Sequence, residues 1–489
     1  MRSHEANDPS SRRIAYVKPT GTPALAEAFI MIRNLSLCLL AAASGSAFAA
    51  DGLPDSTFGF LSSGRNVISL NRGGTDSDTI VDVLVNADRS IFMVGTSRGE
   101  GSDSRYSITK LKPNGLIDSS FGANGTVYSI GTNLEASRAR LDAAGNVVIV
   151  GTANRLGSDK DFSVCRFGPQ GQPVNFSALL KNCTYVPVDI VPSGVDIASD
   201  FRIDAQGRIT ILGTAFIHSA RSRVVLKRLL PDGQLDVLEP GLGTNGGLYE
   251  YLDSKINRGT ALAIQADGRY IVVGEAGDPA SVNGTDVLLA RMTANGTRDA
   301  SFQSGQTFAL FGVNQGDPSH RNDAAKAVEI LSDGSILVAG NVESGSGLNQ
   351  RKGFLFKLQP LDVANFDPSF ANSGQLYYDG GYGVDFNRLL VQSDNKIVVA
   401  GSRKATNSSD SLMHVARMDS DGFVDADFGA VGRVDVDFLL PHGPDYGTAI
   451  ATQDGSLLIA GHSTNQNFLD LDQTVTRLHN DLIFADGLE

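Results

Sequence analysis

The chain has 489 residues, 41 Lys and Arg against 54 Asp and Glu, and a formal net charge of −13. That balance repels nucleic acid and anionic lipid surfaces, so neither is an expected partner. Three cysteines and 7 histidines, with no zinc-type spacing, offer no metal motif.

Residues 1–30 are polar and mixed. Met31 then opens an ordinary export signal: Arg33, an apolar run from Leu35, small residues, and Ala47-Phe48-Ala49. Residues 1–30 are therefore expected to lie upstream of the true start at Met31. Residues 31–50 are expected to form a cleavable signal peptide, cut near Ala49-Ala50. The mature chain is then secreted, periplasmic or at the cell surface. The apolar run is too short for a membrane span, and no other stretch reaches the ~18 residues needed.

From residue 51 a phrase recurs seven times: an apolar run, a tight turn, a second apolar run, then glycine. The glycines are Gly95, Gly151, Gly213, Gly274, Gly340, Gly401 and Gly461, spaced 56, 62, 61, 66, 61 and 60 residues apart. In the sixth copy Phe386 to Val391 reads as a strand, Asp394-Asn395 as a turn and Lys396 to Gly401 as a second strand. Met413 to Met418 and Arg433 to Asp437 complete a set of four. Asp-Gly at 267–268, 333–334 and 454–455 predicts two-residue I′ hairpins, and Asp88-Arg89 a turn of another type. The period and strand pattern predict an all-β fold, a seven-bladed β-propeller of four-stranded antiparallel blades.

The seventh copy loses the pattern after Asn480-Asp481. The segment Asp51-Gly-Leu-Pro-Asp55-Ser-Thr-Phe58-Gly59 matches Asp421-Gly-Phe-Val-Asp425-Ala-Asp-Phe428-Gly429. The N-terminal segment is thus expected to supply the last strand of the C-terminal blade, with 65–70 pairing near 473–478. That closes residues 51–481 into one ring and removes exposed strand edges. The tail 482–489 is read as a cap on the final strand, or as a sorting tag.

The link Asp118-Ser-Ser-Phe121-Gly122-Ala-Asn-Gly125, taken with the turn-and-glycine phrase, resembles the delta-60 repeat family of bacterial exported proteins. The resemblance covers about residues 51–480 and implies a propeller and export. It brings no catalytic residues. Copies two and three depart from it at Asn175-Phe176-Ser177 and Asp236-Val-Leu-Glu239.

A basic residue stands at one place in every third strand: Lys110, Arg166, Arg228, Arg291, Lys357, Arg417 and Arg477. Asp precedes Phe by three in five links: Asp55 and Phe58, Asp118 and Phe121, Asp299 and Phe302, Asp367 and Phe370, Asp425 and Phe428. A feature repeated so often is architectural, an ion pair fixing each link with a Phe plug between blades. Exposed pairs of this kind are worth ~0.2–1 kcal/mol each. Cys165 and Cys183 fall on neighbouring predicted strands, so an oxidising compartment allows a disulfide; two free thiols are the other reading.

Two motifs are absorbed by the repeat. Gly95-Thr-Ser97-Arg-Gly99 fits G-x-S-x-G but lacks the following helix of a nucleophile elbow. Gly241-Leu-Gly243-Thr-Asn-Gly246 fits G-x-G-x-x-G but occupies a link. The absence of Trp argues against WD-type and quinone-cofactor propellers. Function is expected in the loops of variable length, which share one face and carry Asp278, Asp286, Asp317, Asp323, Glu343 and Asp410. The expected role is a monomeric, non-enzymatic binding scaffold for a protein or cell-surface glycan, with no cofactor. The alternative is an extracellular hydrolase or lyase with an acidic, calcium-dependent site at the central channel.

Overall fold

The computed structural model describes residues 51–480 except 74–76, 102, 156–158, 179, 189, 192–193, 219–220, 237–246, 251–255, 279–283, 298, 303–307, 313–321, 344–350, 361–364, 406–409, 439–442 and 465–469. The expected extension, signal peptide and tail, Asp317 and the segment 241–246 lie outside the described residues. The described secondary structure is almost wholly strand, the exception being a 3-10 turn at Phe60–Ser62. No helix among the described residues is long and apolar enough to cross a membrane.

The strands come in antiparallel sets of four, one per sequence repeat: 78–128, 134–186, 195–250, 256–311, 324–378 and 384–436. In the sixth set they are Val384–Val391, Ile397–Lys404, Ser411–Met418 and Arg433–Val436. The second and third sets are linked into one sheet by a single parallel pairing, Val195 with Lys160. The seventh set has three strands from 445–478, and its fourth is the N-terminal strand Arg65–Ile68. That strand runs antiparallel to Leu471–Leu478, with Arg65 opposite Thr476 and Ile68 opposite Gln473.

Second strands are continuous apolar runs because both of their faces are covered. Ile91 to Ser97 is buried at every position. Each hydrophobic cluster draws on two consecutive sets. Phe92, Ile108 and Phe121 of the first pack with Val147, Ile149 and Phe167 of the second. Ala460 and Val475 of the seventh, with Ile68, pack against Ile80, Val83 and Met93 of the first.

Every first strand carries a β-bulge opposite the repeat glycine. The register skips at Val81, Ser137, Ser199, Thr260, Lys326, Asn387 and Thr448. The bulge pushes the preceding carbonyl against the glycine. A Cβ on Gly95 would lie 1.7 Å from the Thr79 oxygen, and one on Gly401 1.8 Å from that of Asp385. Close approach, and not a left-handed φ, is why these seven positions are glycine. Bulge side chains also join neighbouring sets. Ser137 donates to the Ala198 carbonyl at 2.6 Å, Thr260 to Ala325 at 2.7 Å and Thr448 to Ile80 at 2.7 Å.

The hairpin expectation is corrected in two of three places. At 454–455 both residues have positive φ, 50° and 86°, as a I′ turn requires. At 267–268 and 333–334 only the glycine does, and the loops are longer: Gly268 N–H donates to Gln265 and Gln265 N–H to Arg269. Arg89, with φ 66°, fills the same place without being glycine, because its turn is otherwise of that longer form.

Gly401→Ala should therefore cost ~3 kcal/mol or more, because backbone must move to admit the methyl. Gly99→Ala, whose Cβ would meet nothing closer than 3.4 Å, should be nearly neutral. Urea unfolding of the two variants measures the difference.

Candidate functional site

The recurring basic residues are placed by the third strands, and in every set but the second an Asp comes back to them, from the following link or, for Arg477, from the N-terminal segment. Arg228 Nε lies 2.6 Å from Asp236, and Arg291, Arg417 and Arg477 lie 2.7 Å from Asp299, Asp425 and Asp55. The Asp N–H also donates to the carbonyl of the same basic residue, as Asp425 does to Arg417 at 3.0 Å. Lys357 reaches Asp367 at 3.0 Å, whereas Lys110 stands 4.0 Å from Asp118 and 3.8 Å from Asp88. Asp236 thus does in the third link what the five recognised Asp residues do. The sequence reading passed it over because no Phe follows at the usual spacing. Arg166 has no link Asp. It lies 3.8 Å from Asp142 and over the ring of Phe176, 4.3 Å from its centroid.

These pairs are not surface contacts. Arg228, Arg291 and Arg417 are among the largest fully buried side chains, so the weak surface value does not apply to them. At Asp299 burial opposes the charge. The Ser301 hydroxyl and N–H, Arg291 and Arg269 outweigh it and hold the carboxyl at about 2. Phe58, Phe121, Phe302, Phe370 and Phe428 are buried. All five cover a neighbouring turn or guanidinium: Phe58, Phe121 and Phe370 face Gly115, Gly171 and Gly422 of the next sets, and Arg291 and Arg417 stack on Phe302 and Phe428. Cys165 and Cys183 are register partners in the second set and are joined by a disulfide.

The loop-face acids are not brought together. Asp278 ends one strand, Asp286 lies within the next, and Glu343 ends a strand of the following set, where the Asn322 amide donates to it. Asp323 is buried, and Asp410 stands just before Ser411–Met418. Among the described residues no three His, Cys, Asp or Glu side chains form a group able to hold a metal ion. Ser97 is fully buried inside an unbroken strand.

Two cavities lie among the first strands. One, of about 320 Å³, is at the starts of first strands and the ends of second strands, on the variable-loop side. It is lined by Asn322, Asn341, Asn387, Ser402 and Tyr446, with the charges of Glu275, Lys326, Arg351 and Asp385. Its amides are fixed at one end: Asn341 accepts from the Phe386 N–H at 2.6 Å and Asn387 donates to Gly447 at 3.0 Å. Glu275 is bound by Arg258 at 2.7 Å and Asp385 by Arg351 at 2.8 Å.

The other cavity, of about 730 Å³, opens beside the first hairpin turns and takes lining residues from the first strands of all seven sets. Its charges come from Asp82, Arg138, Arg140, Asp200, Arg202, Glu329 and Arg388. Four guanidiniums face three carboxylates there. The residue after the bulge lines it in six of the seven strands, Ile450 taking that place in the seventh, and no link or loop motif announces it.

Asp78, Asp445, His414 and Asp435 are perturbed at structural contacts. Burial pushes the Asp78 carboxyl up to about 7 despite Ser97 and the Leu70 N–H, with Asp470 and Asp472 adding to the rise. Burial likewise pushes Asp445 up to about 6 despite Ser463 and the Phe438 N–H. Both carboxylates tie the exit of one set to the entry of the next through those N–H groups. His414 is buried and lowered by burial, and it bonds Asp435 at 2.7 Å. None of these four groups lines either cavity.

A family model described as a domain of unknown function (DUF5122) beta-propeller matches residues 265–302 and 392–428. Each stretch runs from a first hairpin turn to a Phe plug, Phe302 or Phe428. The match supports a bacterial β-propeller repeat family, a coarser assignment than delta-60. No curated protein matches the sequence. Among solved structures, an ulvan lyase of a new polysaccharide lyase family has 12% identity and a TM-score of 0.48, over 81% of this chain and 92% of its own. A protein of unknown function from Dyadobacter fermentans has 11% identity and a TM-score of 0.42, over 85% and 99%. An arabinanase from a bovine ruminal metagenomic library has 9% identity and a TM-score of 0.32, over 72% and 95%. Likeness at this level concerns the fold and carries no argument about the site.

Asp425→Ala takes the Nε partner from the buried Arg417, which keeps Asp51 and Asn480, and should cost ~2–3 kcal/mol, whereas Lys110→Met, which loses ion contacts at 3.8 and 4.0 Å and ring contacts at 5.7 and 6.0 Å, should be milder; chemical denaturation ranks them. The raised carboxyls give a second expectation. Their folded pKa values, about 7 and 6, exceed the ordinary 3.8. The stability they lend is complete below about pH 4 and is lost as pH rises through 6 and 7. Asp78→Asn should flatten the decline in melting temperature between about pH 4 and pH 7.

Proposed function

We propose that the chain is an exported, closed, seven-bladed β-propeller of the delta-60 type, monomeric in its mature form, that holds a neutral glycan at the loop-face mouth of its central channel. Three observations support the ring. The N-terminal strand completes the last sheet, a hydrophobic cluster joins the last set to the first, and one cavity draws on all seven first strands. The export reading rests on the signal-like segment 31–50 and the disulfide.

The observation that carries the ligand class is the composition of the loop-face mouth. Three amides, a serine and a half-buried tyrosine converge there. Amides held at one end present fixed donors and acceptors to sugar hydroxyls, and the Tyr446 ring offers a stacking face. Its two carboxylates are each bound to an arginine, which suits positioning better than proton transfer. The convergence of Glu275 and Asp385 on one mouth favours a second reading, a hydrolase or lyase acting there.

Calorimetric titration of the mature chain with neutral oligosaccharides tests both readings. Saturable binding that falls about tenfold in Tyr446→Ala, with the melting temperature kept and the sugar recovered intact, supports the binding reading. Release of new sugar ends on incubation establishes the enzymatic one. Capture of a protein in place of any glycan overturns both.

A further inference from the structure

The hairpin-face cavity holds more positive charge than its own carboxylates answer. We propose that it binds an oxyanion, a carboxylate, sulfate or phosphate group, carried on a free hydroxylated acid or on the end of an acidic oligosaccharide. The inference rests on this cavity alone and is independent of the glycan at the opposite mouth.

Two of the three carboxylates are already engaged. Asp82 accepts the Ala139 N–H at 2.7 Å. Asp200, 1% exposed, accepts the Leu262 N–H at 2.9 Å and binds Arg140 at 3.1 Å and Arg202 at 3.0 Å. The third, Glu329, has a side chain that is 46% exposed and lies 3.9 Å from Arg202, and desolvation raises its pKa.

Arg138 and Arg388 are left over. Arg138 is 7% exposed and meets Asp200 and Asp82 only at 3.5 and 3.8 Å. Arg388 donates through its two terminal nitrogens to the Asn387 and Val81 carbonyls, each at 2.9 Å. Its Nε is buried without a partner, and its nearest carboxylate, Asp82, is 3.9 Å away. Burial and the charge of Arg138 press its pKa down to about 9, the mark of a cation short of counter-charge. Gln392, on the same wall, is 4% exposed, and neither end of its amide has a partner.

Unanswered buried donors are costly, and a ligand removes that cost. A guanidinium pair matches the two oxygens of an oxyanion, and the Gln392 amide suits an adjacent hydroxyl. In a chain of net charge −13, a positive recess of about 730 Å³ also selects anions over cations and has room for a small acid.

The test is calorimetry on the mature protein with sulfate, phosphate, glucuronate, a uronic acid oligosaccharide and glucose. Expected is saturable binding of at least one anion, weakened by added chloride, and none of glucose. Arg388→Gln and Gln392→Ala should each lower affinity about tenfold or more. Neither should change binding of a neutral glycan at the Tyr446 mouth. If Arg388→Gln fails to fold, Gln392→Ala carries the test. A tighter oligosaccharide than monomer assigns the oligosaccharide end as source, and equal affinities assign the free acid. No heat with any anion, or undiminished affinity in the folded variants, overturns the proposal.

Discussion

The β-bulge opposite each repeat glycine is the constraint on which the rest depends. One extra residue in the first strand pushes a carbonyl into the neighbouring strand, and only a residue without Cβ can receive it. The glycine and the bulge are therefore one feature read on two strands. The bulge has two effects. It turns a side chain towards the neighbouring set, where Ser137, Thr260 and Thr448 donate to backbone carbonyls. It also resets the alternation, so the next residue in line, such as Asp82, Arg138, Asp200 or Arg388, reaches the hairpin-face cavity.

A second layer of the fold is built at the ends of the third strands, beside the first hairpin turns. There the buried arginine, the returning Asp and the Phe act as a unit: the guanidinium takes the carboxylate and stacks on the ring. Burial strengthens the attraction, while the Asp N–H bond to the arginine carbonyl fixes the geometry that makes the desolvation tolerable. Lysine in the first and fifth sets keeps the charge but has no planar fork, and Lys110 accordingly sits farther from its Asp.

Local chemistry was legible in the sequence and convergent chemistry was not. The strands, the glycine spacing, the pairing of 65–68 with 473–476 and the Arg–Asp partnership are carried by patterns within one repeat or by two matching segments. Asp236 carries no Phe three residues later, whereas the clamp requires only a carboxylate returned to the arginine, eight residues on at Asp236 and from the N-terminal segment at Asp55. The two cavities were out of reach for a different reason. Their residues lie about sixty apart and occupy equivalent positions whose other occupants, Ala261 and Ala327, are featureless. Arg388 and Gln392 gain meaning only beside Arg138, and nothing local announces that neighbourhood. The Asp-Gly turns misled because glycine at one positive φ serves a longer loop as well as a I′ hairpin.

The second set is the one whose arginine lacks a link carboxylate, and it is also the one with a disulfide at the residue beside that arginine, Cys165. The covalent bond stands where the ionic clamp is missing. Every other set can assemble from the polypeptide alone, but this one is complete only after two electrons have been removed. Oxidation of this one cysteine pair therefore fastens covalently a sector that the other sets fasten with charge.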